Sequence, residues 1–206
     1  MTAPDNSASR HSDPGRKIAT PVVNVANALT VLRIGLVPVF VVLMIASEMT
    51  STPYRIAAAL AFAVASLTDF ADGWIARTFN QVTTFGKVAD PIADKALTGT
   101  ALVLLSVYGV LPWWVTIVIL AREFGITALR FWMRNYGVIP ASRGGKLKTV
   151  LQIAAIAWYI WPFPAPLDAV GPWIMLTAVL VTVVTGVDYL IKALRVRRQG
   201  QAGAGG

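Results

Sequence analysis

The chain contains no cysteine, a single histidine and only ten acidic residues among 206. Without cysteine there is no disulfide frame, no thiol nucleophile and no Cys-based metal site. The one histidine, His11, sits in the polar stretch "MTAPDNSASRHSDPGRK", which has no apolar period. Histidine chemistry, whether general base, phospho-carrier or metal ligand, is thereby excluded. Charge of either sign is scarce: 14% of residues are charged and 56% are hydrophobic, whereas an average soluble domain is about 25% charged. The mean hydropathy of +0.63 implies more apolar surface than one soluble core absorbs, so a polytopic membrane protein is expected. The first 20 residues lack the apolar core of a signal peptide, and the first hydrophobic segment is expected to act as its own insertion signal and stay in the bilayer.

What the chain does have is a series of long apolar runs. Six stand out, at roughly 28–47, 54–76, 88–109, 112–133, 147–163 and 170–192, each near the length needed to cross a bilayer. Helices are expected because an open strand edge cannot sit in lipid, and no run alternates as a barrel strand does. The fold class is therefore an all-α integral membrane protein of six transmembrane helices. Lys and Arg occupy every second connection: Arg10, Arg16 and Lys17; Arg77 and Lys87; Arg134, Arg143 and Lys146; then Lys192, Arg195, Arg197 and Arg198. The intervening connections "SEMTSTP", "YGVLP" and "PFPAPLDAVG" are nearly free of them, with Arg55 just inside the second run. This alternation places both termini in the cytosol. It also accounts for the net charge of +8 as anchoring against anionic lipid, with no nucleic-acid partner. Trp113, Trp114, Trp161 and Trp173 fall at the outer ends of the runs, where an aromatic belt belongs. The expected layout is a disordered polar tail over 1–20, one membrane domain over 21–198 and a low-complexity, disordered tail over 199–206, with no internal repeat.

Four of the ten acids crowd into "TDFADGWIARTFNQVTTFGKVADPIADKALTG", residues 68–99. Asp69 and Asp72 are three apart, Asp90 and Asp94 four apart, so each pair shares a helix face. A short connection makes the two helices antiparallel neighbours, and all four carboxylates can then converge. Each would cost roughly 2.5–3.5 kcal/mol at mid-membrane and less near the interface. Like charges so close need an opposing cation. Oxygen-only ligands favour a hard divalent ion such as Mg²⁺ or Mn²⁺; the plainer reading is helix caps and loop acids paired with Arg77, Lys87 and Lys95. Gly73, directly after Asp72, leaves bare helix where a flat ligand can approach; Ala76 follows three residues on, and Gly86 marks the turn into the third run, where a simple loop glycine would serve equally.

Read from Asp69, the chain spells D-x2-D-G-x2-A-R-x8-G-x3-D-x3-D through Asp69, Asp72, Gly73, Ala76, Arg77, Gly86, Asp90 and Asp94. This resembles the signature of the CDP-alcohol phosphotransferase family of integral membrane enzymes, and the six-run layout between residues 24 and 195 is similar too. The resemblance implies transfer from a CDP-linked donor to an alcohol with release of CMP. It implies that Asp69, Asp72 and Asp90 hold divalent metal, that Asp94 assists the metal site and takes the acceptor's proton, and that Gly73, Ala76, Arg77 and Gly86 line the CDP pocket. "NALTVLRIG" resembles the family's N-terminal pattern through Asn27, Thr30 and Arg33, beside the nucleotide. Arg33 lies one or two turns into an apolar run and is expected to snorkel to the surface. A homodimer is also implied.

A second set of charges lies in "ILAREFGITALRFW" and "ASRGGKLKTVLQ". Arg122 and Arg130, eight apart, share a helix face; Glu123 needs a partner; Arg143, Lys146 and Lys148 stand at the start of the fifth run. A phosphorylated acceptor calls for such fixed cations, although Arg143, Lys146 and Lys148 also fit interfacial anchoring. "GGK" is no phosphate loop, since Leu147 stands where Ser or Thr is required. The pattern A-R-E, Arg130 and G-K-x-K-T-x2-Q from Gly145 to Gln152 is similar to the family branch that joins CDP-diacylglycerol to glycerol 3-phosphate; branches using inositol phosphate share most of it. A divalent-cation transporter is the alternative from another class, and it calls for acids spread through the bilayer depth. If Asp94 is the base, Asp94→Asn abolishes turnover while CDP-lipid binding, measured by equilibrium binding to the purified protein, stays largely intact. Near-normal turnover would remove Asp94 from that role.

Overall fold

The computed structural model describes residues 25–78, 84–133 and 143–202, with side chains described over 28–71, 92–133 and 147–196. The described backbone is helical, without a strand: α1 Val25–Ser47, α2 Thr52–Thr78, α3 Thr84–Val107, α4 Trp113–Trp132, α5 Arg143–Ile160, a 3-10 turn Leu167–Val170 and α6 Gly171–Ala202. Each expected apolar run has its helix. α3 begins four residues before the apolar run does, so Gly86 falls in its first turn instead of the connection. α6 continues to Ala202, four residues into the stretch 199–206 expected to be a tail, because a formed helix extends at one hydrogen bond per residue ordered. The tail over 1–20 and residues 203–206 lie outside the described residues.

The apolar side chains face both ways. Phe40, Met44, Phe62, Leu102, Ile119 and Ile156 are fully buried, and the rings of Phe40 and Phe62 meet at 5.6 Å across α1 and α2. Val42, Leu67, Phe70, Ile117 and Val184 are each more than 60% exposed, far more apolar exterior than a soluble monomer shows. Such a surface belongs in lipid: the chain is a membrane protein. Among the described residues, three segments are long and apolar enough to cross a bilayer, Ala28–Ser47, Thr52–Ala71 and Leu167–Val196, and Leu147–Ile160 is a shorter apolar helix. α4 is interrupted by Arg122, Glu123 and Arg130.

α1 packs against α2 and α3, α2 against α5, α3 against α4 and α5, and α6 against α4 and α5. Among the described residues α2 and α3 touch only slightly, and α1 lies against both aspartate-bearing helices. Met49, Arg55, Val110, Tyr159, Trp161 and Asp168 surround one cavity. The α1–α2, α3–α4 and α5–α6 connections therefore gather at a single end, and successive helices run up and down.

Local chemistry sets the helix ends there. α3 stops at a Schellman motif: Gly109 adopts a φ of +70°, and the Val110 and Gly109 N–H groups donate to the carbonyls of Leu105 and Ser106 at 2.9 and 3.1 Å. Between α3 and α4 the buried hydroxyls of Ser106 and Thr116 lie 2.7 Å apart, and Thr116 Oγ1 donates to the Leu102 carbonyl at 3.1 Å. At the C-terminus of α5, Arg55 Nε donates to the Ile160 carbonyl at 3.1 Å, and its Nη2 donates to those of Tyr159 and Trp161 at 3.0 and 3.2 Å. A cation at a helix C-terminus meets both its orphan carbonyls and its negative dipole end. This explains a positive residue at the end otherwise poor in them. Trp113, Trp114, Trp161 and Trp173 are exposed at this end, as an aromatic belt requires.

Replacing Arg55 with Met strands those carbonyls and costs about 1–3 kcal/mol, read as a lower melting temperature in detergent by circular dichroism. Arg55→Lys recovers only part, since an ammonium cannot reproduce the planar fork. An unchanged melting temperature in Arg55→Met would show that the cap contributes nothing.

Candidate functional site

Apart from Glu48 and Asp168, the remaining described charges collect at the opposite end, to which all six helices contribute. α2 carries Asp69 near its C-terminus, and α1 brings Arg33 to it: Arg33 Nη1 lies 2.5 Å from Asp69 Oδ1, with Arg33 fully buried and Asp69 about one-third exposed. Arg33 therefore does not snorkel. Packing of α1 against α2 and α3 closes off water from its guanidinium, and the Asp69 carboxylate offsets part of the desolvation. Thr30, one turn earlier on α1, is also buried.

α3 contributes Asp94, partly buried, whose charged neighbours are Lys95, Glu123, Lys148 and Arg33. Arg33 thus neighbours both Asp69 on α2 and Asp94 on α3, where α1 lies against each helix. Beyond Asp94 stands a three-membered ion cluster. Glu123 of α4 accepts from buried Lys148 of α5 and, at 3.2 Å, from Arg122 Nη1. The partner that Glu123 needs is therefore double. Arg122 reaches α6 as well, donating from Nη2 to Thr185 Oγ1 at 3.2 Å. Two turns further along α4, Arg130 donates to the Tyr189 hydroxyl at 3.4 Å and lies 5.6 Å from that ring's centre. Arg122 and Arg130 do share a face, and it is the face toward α6.

Among the described side chains at this end, Arg33 and Lys95 balance Asp69 and Asp94 on α1–α3, whereas Arg122, Arg130, Lys148, Lys192 and Arg195 outnumber Glu123 and Asp188 on α4–α6. Among the described residues Arg122 uses two of its five N–H donors on protein, and its buried Nε has no protein partner. A guanidinium with free donors beside a buried lysine is suited to a phosphate. A separate cavity of about 450 Å³ between α4 and α6 touches Arg122 but is otherwise apolar, lined by Ile126, Leu129, Val183, Val187 and Leu190, and is no place for a phosphate.

Asp72, Gly73, Ala76 and Arg77 lie within α2, Gly86 and Asp90 within α3, Asn27 within α1, and Arg143 and Lys146 within α5; their side chains are outside the described residues. Among the described residues no three acids or histidines form a metal cluster, since two of the four aspartates are not in that set. Asp69 and Asp94 offer the carboxylate oxygen that a hard divalent cation takes, with Asp69 also held by Arg33. Glu48 and Asp168, at the far end, belong to no cluster, so the described acids do not trace a path through the bilayer depth as a cation transporter would need. Residue types alone did not point to Thr185, Tyr189 or Gly186, which read as ordinary filler of an apolar helix; the one signal was a lone glycine within "VVTGVDY".

The sequence profile of the CDP-alcohol phosphatidyltransferase family matches residues 23–184. A probable phosphatidylglycerophosphate synthase of Mycobacterium tuberculosis is 48% identical over 174 residues, covering 84% of this chain and 83% of the relative. CDP-diacylglycerol–glycerol-3-phosphate 3-phosphatidyltransferases of Bacillus subtilis and Escherichia coli are 37% and 39% identical, each covering 82% of this chain and 94% of the relative.

The ion cluster makes its own prediction. Lys148→Met leaves Glu123 buried with Arg122 as its remaining partner and destabilises the protein by about 3 kcal/mol, the lower end for a broken buried pair. Adding Glu123→Gln in the same chain returns part of the lost melting temperature. If the two losses simply add, Glu123 and Lys148 are not coupled.

Proposed function

The chain belongs to the CDP-alcohol phosphatidyltransferase family, and from that premise we propose that it moves the phosphatidyl group of CDP-diacylglycerol onto glycerol 3-phosphate, giving phosphatidylglycerol phosphate and CMP. The observation that carries the acceptor is the juxtaposition of a carboxylate, Asp94, with the Glu123–Lys148–Arg122 cluster. A base and an anion site side by side suit an alcohol that already bears a phosphate. The relatives whose names specify glycerol 3-phosphate support the same choice.

In the proposed reaction the acceptor's hydroxyl oxygen attacks the phosphorus that carries the diacylglycerol. The bond from that phosphorus to the bridging oxygen breaks, CMP leaves with the electron pair, and Asp94 takes the hydroxyl proton. Arg122 and Lys148, with Arg143, Lys146 and Arg130 from the same end, hold the acceptor's phosphate, and Glu123 holds Lys148 and Arg122 in place. Asn27, Thr30, Gly73, Ala76, Arg77 and Gly86 receive the CDP moiety. Asp69, Asp72 and Asp90, assisted by Asp94, would hold Mg²⁺ or Mn²⁺, which when bound neutralises the diphosphate and stabilises the charge developing on it. Arg33 keeps the Asp69 carboxylate in position from α1. With neither cysteine nor a usable histidine, displacement is direct.

The proposed setting is the cell membrane, crossed six times, with both termini and the charged end in the cytosol. The alternation of Lys and Arg among the connections and the gathering of the Lys- and Arg-poor connections at one end support it. A homodimer is proposed on the family resemblance alone.

Purified protein given CDP-diacylglycerol, Mg²⁺ and separately glycerol 3-phosphate, inositol phosphate, inositol or serine is expected to release CMP with glycerol 3-phosphate only. Chelation stops the release, and added Mg²⁺ or Mn²⁺ restores it. Release only with inositol phosphate would reassign the acceptor, and release unaffected by chelation would remove the metal.

A further inference from the structure

Arg122 is held from α6 as well as from its own helix. Its Nη2 donates to Thr185 Oγ1 at 3.2 Å. That hydroxyl in turn donates to the Val181 carbonyl at 2.7 Å, which directs its lone pairs toward the guanidinium. The next residue, Gly186, lies under the aliphatic stem. A Cβ built on Gly186 would stand 3.1 Å from Arg122 Cγ, 3.5 Å from Nε and 3.9 Å from Cδ. The first distance is tighter than ordinary carbon–carbon contact, so the arginine crosses α6 along a track open only where a side chain is missing. Glu123 Oε1 fixes the other arm of the fork through Nη1 at 3.2 Å. Held at both arms and along its stem, the guanidinium keeps one rotamer, and its Nε remains without a protein partner among the described residues.

We propose that Thr185 and Gly186 are positioning residues for the acceptor: α6 fixes the Arg122 fork so that its remaining N–H groups are set for the acceptor's phosphate before it binds. The inference rests on the reading of Arg122 as an acceptor ligand. It adds that the helix furthest along the chain, which carries none of the signature aspartates, sets acceptor affinity. Ordering a long cationic side chain in advance removes part of the cost of binding, so the effect belongs in KM for the acceptor and not in the chemical step.

Steady-state CMP release by the full chain in detergent micelles, with glycerol 3-phosphate and CDP-diacylglycerol varied in turn, tests this. Gly186→Ala is expected to raise KM for glycerol 3-phosphate about tenfold, the scale of one charge-assisted hydrogen bond lost. KM for CDP-diacylglycerol and kcat at saturation stay within about twofold, which a general loss of structure would not allow. Thr185→Val behaves in the same way, and Thr185→Ser, which keeps the oxygen, retains the original KM. In an Arg122→Ala background Gly186→Ala has no further effect, because the residue through which it acts is gone. Should Arg122→Ala raise KM while Gly186→Ala and Thr185→Val do not, the positioning role falls and the acceptor site stands. An undiminished Gly186→Ala effect in the Arg122→Ala background also overturns it. If Arg122→Ala leaves KM for glycerol 3-phosphate unchanged, the acceptor assignment itself fails and the positioning role with it.

Discussion

Charge inside an apolar bundle must be answered by charge, and the arrangement of this protein follows from that constraint. Taking an ion out of water costs several kcal/mol even after relaxation, and attraction offsets it only when partners are close and well oriented. Here the answering groups come from different helices. α1 answers α2 through Arg33 and Asp69, α5 answers α4 through Lys148 and Glu123, and α6 receives Arg122 through Thr185. The pairs that make the charges tolerable also lock the helices together at one end, so the site and the packing of that end are a single construction.

The two ends solve different problems. At the far end, polar groups are consumed internally: Arg55 closes α5, the Schellman turn closes α3, and the Ser106–Thr116 pair closes on the Leu102 carbonyl. At the charged end, a donor is left over among the described residues, Arg122 Nε. A region whose polar groups are satisfied serves stability. In the proposed function, the donor kept in reserve at the other end is the one the acceptor would use.

Much of this was legible in the residues. The six helices follow from the length of the apolar runs, since lipid leaves little alternative to a helix, and the family followed from eight spaced positions between Asp69 and Asp94. The neighbouring pair Arg122 and Glu123 announced a polar site because charges within an apolar helix are costly. Partner choice was not legible. Arg33 could equally have reached the interface, and only the packing of α1 against both α2 and α3 turns it inward to Asp69. Thr185 and Gly186 carry no signal of their own, because small residues are common in membrane helices and their meaning arises only when an arginine from α4 is laid across them. Boundaries were also soft. α3 and α5 each start four residues early, since a polar first turn adds hydrogen bonds without adding hydropathy.

The guanidinium of Arg55 is turned onto the end of α5, which leaves Glu48 and Asp168 as the charged groups that rim presents to water. The opposite rim carries the basic connections. In the orientation proposed, the molecule is an electric dipole with its positive pole on the inner leaflet. A membrane potential negative inside acts on it with about 2.3 kcal/mol per elementary charge per 100 mV. An energised bilayer therefore resists inversion of this protein more strongly than a discharged vesicle does.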